Sequence, residues 1–588
     1  MDRVLVIGAG HAGLEAAFAA RRRKAPVVVV TGSLAGVGLT PCNPAVGGVA
    51  KGHLVAEVEA MGGFIGRAAD AAGIHARILN RSKGPAVRAT RVQVDKRRYA
   101  DHARTTLLAD SGIEVVEALV AAVVTRGGSV EGVRLEDGTF LPARAVVVTT
   151  GTFLRGTLHV GHEARPGGRT GEAPATALAR SIAALGFRTV RLKTGTPPRL
   201  RAGSIDFDGL ELQPPDDPMP GFTLPGERRA PPLPRRACHL TWTTDATHRV
   251  VRDNLARSAM YGGKVMGRGP RYCPSIEDKV VRFPHRARHQ VFLEPEGLDT
   301  DWVYPNGIST SLPADAQLEL VRTIPGLGRA EIVQPGYAVE YDAVDARQLD
   351  HRLEAREIAG LFFAGQVNGT SGYEEAAAQG LVAGANAAAV VTGAEPLVLG
   401  RREAYIGVLV DDLVTQGCDE PYRMFTARAE YRILLREDNA DERLETRAHA
   451  LGLIDDARYT RGLRRREQVD RAHAALRAGV AFDGPAWALA RAEARRTYEG
   501  YVDKLERDLA RIEGRAGADL PIPPDLDFFA LPGLCREAAE RLEAVRPATT
   551  GQARRIPGLS PAALACLWAH VRKGTLAAAI PREADTIA

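Results

Sequence analysis

Val4-Leu5-Val6-Ile7-Gly8-Ala9-Gly10-His11-Ala12-Gly13 is the stretch on which the fold turns. Four consecutive apolar residues, three of them β-branched, read as a buried parallel strand. Gly-x-Gly-x-x-Gly follows at once. Leu14 to Lys24 is Ala-rich and helix-forming, and Val27-Val28-Val29-Val30 is a second buried run. Together these make a β-α-β unit of about 30 residues. In that context the first glycine permits the tight turn, the second lets a pyrophosphate approach the backbone, and the third lets helix pack on strand. The helix N-terminal N–H groups then face the phosphates. The second strand ends in Thr31-Gly32-Ser33, without the Asp or Glu that grips a ribose in NAD dehydrogenases.

Two later stretches favour a flavin dinucleotide. Ala145-Val146-Val147-Val148, running into Thr149-Thr150-Gly151, resembles the strand that returns the chain to the nucleotide fold in two-dinucleotide flavoproteins. Leu361-Phe362-Phe363-Ala364-Gly365-Gln366 resembles their late strand and glycine, with Gln366 where many have Asp. A helix from Tyr373 to about Val391 would aim its positive end at the flavin. Ile113 to Val124 and Gly132 to Leu135 read as a meander. Residues 200–235, rich in Pro, Gly and acids, read as loops opening an insertion, and Leu520 to Asp527 reads as a linker. The expected fold class is α/β: a two-dinucleotide-type Rossmann FAD domain (1–200 and 270–398), an inserted α/β domain (201–269), and an all-α C-terminal region. That region divides into a helical domain (399–520) and a small helical unit for partner contact (521–588).

Composition bounds the function. With 588 residues, 45% hydrophobic and 25% charged, the chain is an ordinary globular protein of about three to four domains. It carries no run of 18 apolar residues, so a membrane span is not expected, and its N-terminus does not read as a signal peptide. Six cysteines lie far apart with no CxxC pair, which points to reduced thiols, a cytoplasmic setting and no metal site. The net charge of +6 is unevenly spread. Arg67 to Arg104 has ten Lys/Arg against three Asp/Glu, and Arg228 to Arg288 fourteen against four, whereas residues 401–588 are balanced at 30 each. Such stripes either attract phosphates or form a plain solvated face, and the balanced tail favours protein contact.

Two cysteines stand apart. Cys42 lies in the loop Thr40-Pro41-Cys42-Asn43-Pro44-Ala45-Val46-Gly47-Gly48, followed by Lys51 and His53. Cys273 is flanked by Arg268, Arg271 and Lys279, cations that raise a thiolate fraction. Cys238, Cys418, Cys535 and Cys566 read as packing residues. Arg428, Arg432 and Arg436 recur every four residues. On a helix they would share one face, either to grip RNA or to pair with nearby acids.

These segments together resemble the MnmG family, also called GidA. The resemblance rests on Gly8–Gly13, Cys42–Gly48, Lys193-Thr194-Gly195-Thr196-Pro197-Pro198-Arg199, Gly269–Lys279, Ala364–Gly380, Thr426–Asp441 and Thr549–Ile556, and so spans nearly the whole chain. The resemblance implies an FAD-dependent enzyme that installs an aminomethyl or carboxymethylaminomethyl group on C5 of wobble uridine 34. It further implies methylene-tetrahydrofolate as one-carbon donor, NADH as reductant, a MnmE-type GTPase as partner, and a homodimer within a heterotetramer. The family's two required cysteines fall on Cys42 and Cys273. FAD contacts carry over to Gly8, Ala9, Gly10, His11, Ala12, Gly13, Val120, Ala175 (commonly Ser), Gly365 and Gln366. The nicotinamide segment carries over to Gly269-Pro270-Arg271-Tyr272-Cys273-Pro274-Ser275-Ile276-Glu277-Asp278-Lys279-Val280-Val281-Arg282-Phe283. Arg428, Arg432 and Arg436 are candidate contacts to the tRNA anticodon stem-loop.

Uracil C5 is a weak nucleophile. A thiolate added to C6 would make it enolate-like. Cys273 suits that role by its cationic surroundings and Cys42 suits general acid/base work, although the assignment can be reversed. A folate- and FAD-dependent tRNA uridine C5-methyltransferase is the alternative reading, set back by the long helical tail. An NADH oxidase or disulfide reductase, or a nonenzymatic RNA scaffold, would leave the stripes or the flavin motifs without a purpose.

Overall fold

The computed structural model describes residues 2–227, 232–269, 274–515 and 519–579, with side chains described for all of these except 508–515 and 573–579. Its centre is a five-stranded parallel sheet in the order Leu361–Phe363, Ala145–Val148, Val4–Ile7, Val27–Thr31, Ile113–Glu117. Val4 pairs with Ala145 on one side and Val27 on the other. The three central strands are buried throughout. A strand covered on both faces reads as an unbroken apolar run, which is why these segments were legible.

Helix His11–Arg22 packs against helix Tyr373–Thr392. A Cβ on Gly380 would lie 2.1 Å from the Ala12 carbonyl oxygen, and one on Gly384 would lie 2.2 Å from that of Ala16. The two backbones touch, and only an Ala/Gly face permits it. Gly13 performs the same service one layer down: its Cβ would lie 1.9 Å from Gly8 O.

The meander divides. Ile113–Glu117 joins the parallel sheet beside Val27–Thr31, and Val120–Arg126, Ser129–Leu135 and Phe140–Pro142 form a separate antiparallel sheet. An antiparallel four-stranded sheet (Glu163–Pro166, Thr157–Val160, Tyr337–Val344, Thr189–Thr196) links the nucleotide fold to the insertion.

The insertion is larger than the expected 201–269. Its six-stranded sheet runs from Arg199–Arg201 to Ile332–Gln334, and its core from Leu200 to Ala330. Gln290–Pro295 and Trp302–Asn306, expected in the second part of the FAD domain, pair within this sheet. The boundary was misplaced because the return strand, Tyr337–Val344, carries charged residues at Glu340 and Asp342 that mask its burial.

The helical domain expected at 399–520 is not separate either. Tyr405–Gln416 and Ala440–Ala450 bury their apolar residues in the main core, which extends to Ile454. Asp456–Ala478 and Ala486–Arg515 then pack on each other through Val469, Ala472, Ala488 and Ala492. The expected linker is part of the last unit: Ile522 is buried and donates its N–H to Ala548 O at 2.8 Å. That unit has its own core, including Phe528, Leu542, Ile556 and Leu567.

Arg555 fastens this unit to the body. Its Nε and Nη2 each donate to Asp411 at 2.7 Å, and Asp411 also accepts from His351 at 3.1 Å and Arg401 at 3.0 Å. Burial pushes the Asp411 carboxyl up, but these donors outweigh it and hold the group well below its usual range. Because the folded pKa is depressed, this contribution is present at neutral pH and lost as pH falls through the folded value. Arg555→Met should remove about 1.5–3 kcal/mol of docking. Limited proteolysis should then cut near 520–535 faster while the melting of the body stays unchanged. Equal cutting rates in both proteins would contradict the clamp.

Candidate active site

The first turn leads into a cavity of about 490 Å³ at the C-terminal end of the parallel sheet, where ligands of open α/β folds bind and within the ordinary size of ligand sites. Its wall includes Gly8, Ala9, Gly10, His11 and Ala12, together with Val120, Ala175, Gln366 and Cys42. Gly13 and Gly365 lie behind the wall. Gly13 backs Gly8, and a Cβ on Gly365 would lie 2.9 Å from Ala12 Cβ. Their part is to let the wall form.

The residues suit a dinucleotide. Gly8 has φ +101°, which closes the turn. A Cβ on Gly10 would meet nothing within 4 Å, so open space lies against that backbone. Helix Tyr373–Thr392 begins at the same cavity, with Gly372, Tyr373 and Ala376 on the wall. Two helix N-termini therefore face the space. Thr150 Oγ1, on the same wall, is buried with no protein partner among the described residues, a hydrogen-bonding group left for a ligand. Thr31 and Ser33 stand where a ribose carboxylate was missing from the sequence. Glu117, one strand over, is spent on the Leu34 N–H at 2.7 Å. Ala175 offers backbone alone: its N–H is donated to Phe153 O at 2.8 Å.

Cys42 sits on this wall under tight backbone control. Its N–H is donated to Tyr373 Oη at 2.8 Å. Arg199 Nη2 donates to Pro41 O at 2.7 Å and to Cys42 O at 3.3 Å. The Cys42 Sγ lies 3.3 Å from Tyr304 Oη and 4.0 Å from Gly195 O. Arg199 is itself buried and donates to Glu296 at 2.8 Å. Burial works against its charge, yet Glu296 holds its pKa above the ordinary value. Lys96 shares Glu296 at 2.9 Å, and burial lowers its pKa. Among the described residues, Arg199 and Lys96 thus set two cations near Cys42.

His11 is neutral. Burial drives its pKa down to about 3, and its ring stacks on Tyr373 with centroids 4.5 Å apart. Lys51 reaches Glu374 at 2.7 Å and Glu375 at 3.4 Å. Burial opposes its charge and the two acids hold it above the usual range. His53, lowered by burial to about 4, is a core residue. Cys238 and Cys418 are thiols pushed up by burial to about 12.

The nicotinamide segment does not reach this cavity among the described residues. Gly269 lies beside Lys193, next to the wall residues Thr194 to Thr196. From Ser275 onward the segment is a helix, Ile276–Arg282, anchored in the insertion. There Glu277 accepts from Ser311 N at 2.9 Å, and Lys279 donates to Gly307 O at 2.7 Å. Pro270, Arg271, Tyr272 and Cys273, the candidate nucleophile, lie outside the described residues.

The helix face expected for Arg428, Arg432 and Arg436 does not exist. Thr426–Arg428 and Glu437–Asn439 are short 3-10 turns, with tight turns between. Arg428 stacks 4.2 Å over Tyr422 and donates to Arg423 O at 3.0 Å. Arg436 is buried and paired with Asp438 at 3.0 Å. Arg432 remains exposed. The four-residue spacing misled because backbone bonds here are local turns.

Of the basic stripes, Arg67, Arg91 and Lys96 are consumed in pairs with Glu59, Glu294 and Glu296. Lys83 and Arg88 are exposed, and so is the whole run Val281 to Arg288, with Arg288 stacked 4.2 Å over Trp242. Tyr304 and Glu296 carried no motif and were missed. The signal within reach was the pair of short β-prone apolar runs, Val291-Phe292-Leu293 and Trp302-Val303-Tyr304.

Fold and site define a Rossmann-type dinucleotide-binding enzyme with a cysteine against the cofactor cavity. The chain belongs to the MnmG/GidA family. The family described as glucose inhibited division protein A matches residues 3–395. That described as tRNA modifying enzyme MnmG/GidA C-terminal helical bundle matches residues 511–586. The chain is similar to the tRNA uridine 5-carboxymethylaminomethyl modification enzyme MnmG of Syntrophotalea carbinolica, at 45% identity covering 97% of this chain and 98% of the relative. It is also similar to two structures of Aquifex aeolicus GidA. The form I crystal gives 42% identity, TM-score 0.90 and 97% and 99% coverage, and the form II crystal 40%, 0.89 and 97% and 98%. No helix among the described residues is long and apolar enough to cross a membrane, and no group of three or more metal-ligating side chains occurs among them.

Proposed function

We propose that the chain is an FAD-dependent enzyme that installs an aminomethyl or carboxymethylaminomethyl group on C5 of wobble uridine 34 in tRNA. The observation that carries this reading is Cys42 on the wall of a dinucleotide cavity, with buried Arg199 and half-buried Lys96 near it. The Gly8–Ala12 turn and the Gly372 helix start would hold FAD, with Val120, Ala175 and Gln366 along it. FAD, when bound, supplies electron or one-carbon transfer.

The chain's own groups do the rest. A thiolate, assigned to Cys273, forms a bond to uracil C6 and makes C5 nucleophilic toward a one-carbon unit from methylene-tetrahydrofolate. Cys42 then takes the C5 proton, expulsion of the C6 sulfur restores the ring, and the amine of ammonia or glycine displaces the folate carrier from the new methylene, leaving the aminomethyl or carboxymethylaminomethyl group on C5. An everted anticodon base is the form in which the ring can reach such a pocket. The exposed Val281–Arg288 run, Lys83, Arg88 and Arg432 offer cations and an aromatic to the stem-loop. NADH would act through the Gly269–Phe283 segment. The terminal helical unit would meet a MnmE-type GTPase, in a heterotetramer built on a homodimer in the cytoplasm. A uridine C5-methyltransferase is disfavoured by the C-terminal bundle matched at 511–586.

The test is mass spectrometry of tRNA nucleosides from a strain lacking this gene. Wobble uridine should lose its C5 substituent and regain it on complementation. An unchanged wobble position, or loss at another tRNA position, would sink the reading.

A further inference from the structure

Among the described residues, Cys42 has one side-chain neighbour capable of exchanging a hydrogen bond with its sulfur at close range, and it lies 262 residues away: Tyr304, with Oη 3.3 Å from Sγ. We propose that Tyr304 is the hydrogen-bond partner that lets Cys42 alternate between thiolate and thiol. It donates its O–H to the thiolate and accepts the S–H when Cys42 is protonated. The use of that alternation on uridine rests on the function proposed above, whereas the hydrogen bond itself does not.

The surroundings fit this role. Tyr304 is buried on strand Trp302–Asn306 of the insertion, while Cys42 lies on a loop of the nucleotide fold. The contact therefore spans two units that fold around different cores. The Arg199 guanidinium lies 4.8 Å from the Tyr304 ring centroid and also holds the Cys42 carbonyl. A cation over the ring makes the phenol a stronger donor and favours negative charge nearby. Lys96 interacts electrostatically with Cys42 from its own helix. Glu296, between Lys96 and Arg199, is turned to those two cations. From the flavin-side helix, Tyr373 meets the Cys42 backbone N–H and not the sulfur, and Glu374 is taken up by Lys51 and Gly47 N. His11, neutral, stacks on Tyr373. Among the groups facing Cys42 in the described residues, Tyr304 is thus the one whose proton can follow the charge on sulfur. No net transfer occurs: the proton that Cys42 gains comes from the substrate, and Tyr304 keeps its own throughout.

The experiment is the pH dependence of iodoacetamide alkylation of Cys42, followed by peptide mass spectrometry on cofactor-loaded native protein and on Tyr304→Phe. A phenol hydrogen bond to an ionised group is strong enough that its loss should slow alkylation at neutral pH about tenfold. The gap should close at alkaline pH, where both thiols ionise. Superimposable profiles would overturn the proposal. Should Tyr304→Phe fail to retain cofactor, the two profiles are compared with both proteins stripped of cofactor, where the same lag at neutral pH is expected and superimposable profiles would again overturn the proposal. The two readings fail separately. A shifted profile in a protein that leaves uridine 34 untouched supports the hydrogen bond and refutes the function, and an unshifted profile in an active enzyme does the reverse.

Discussion

Gly10→Val is expected to fold normally and to purify without flavin. Gly10 has φ −76° and ψ −170°, a conformation open to any residue. Its Cβ would meet no protein atom within 4 Å. The added side chain therefore enters the cavity where a pyrophosphate would approach the backbone. Crowding of that kind costs about 1–3 kcal/mol, about tenfold to a hundredfold in affinity. Gly13→Val is the contrast. Its Cβ would lie 1.9 Å from Gly8 O and 2.8 Å from Thr149 Oγ1, so the turn itself must break and the melting temperature should collapse. Visible absorbance and thermal melting of both variants make the check. A yellow, fully loaded Gly10→Val protein would place the cofactor elsewhere.

Cys42→Ser should keep the fold and the flavin and lose the wobble modification by about 10²–10⁴-fold, the range for removing a positioned acid/base. The loop is held through its backbone: Tyr373 takes the Cys42 N–H, and Arg199 holds the carbonyls of Pro41 and Cys42. Serine keeps all three bonds and nearly the same volume, so stability should change by less than about 1 kcal/mol. The decisive measurement is the nucleoside composition of tRNA treated in vitro with the variant, its GTPase partner and both cosubstrates. Full modification would remove Cys42 from the chemistry.

The nucleotide half was legible because its determinants are local. Val4–Ile7 and Ala145–Val148 are covered on both faces, and their apolar runs say so without context. The Ala/Gly face of Tyr373–Thr392 likewise reflects direct backbone contact. The insertion was read too short because Glu340 and Asp342 lie in a fully buried strand, where Glu340 accepts the Met266 and Gly267 N–H groups and Asp342 pairs with Arg191 at 3.1 Å. Charge on a strand looks like exposure until its partners are known. Arg428, Arg432 and Arg436 failed in the opposite sense, since a helical period was read into consecutive turns.

Residue order alone determined a glycine turn after a buried strand, a return strand, a late glycine before an Ala/Gly helix, and a thiol in a Pro/Gly loop. Each depends on neighbours within about ten positions, where backbone sterics act. Tertiary structure decided what stands against that thiol. Tyr304, Arg199, Lys96 and Tyr373 come from four distant elements and meet at Cys42 because two separately packed cores close on the same loop. Contacts made at such separation leave no period in the chain.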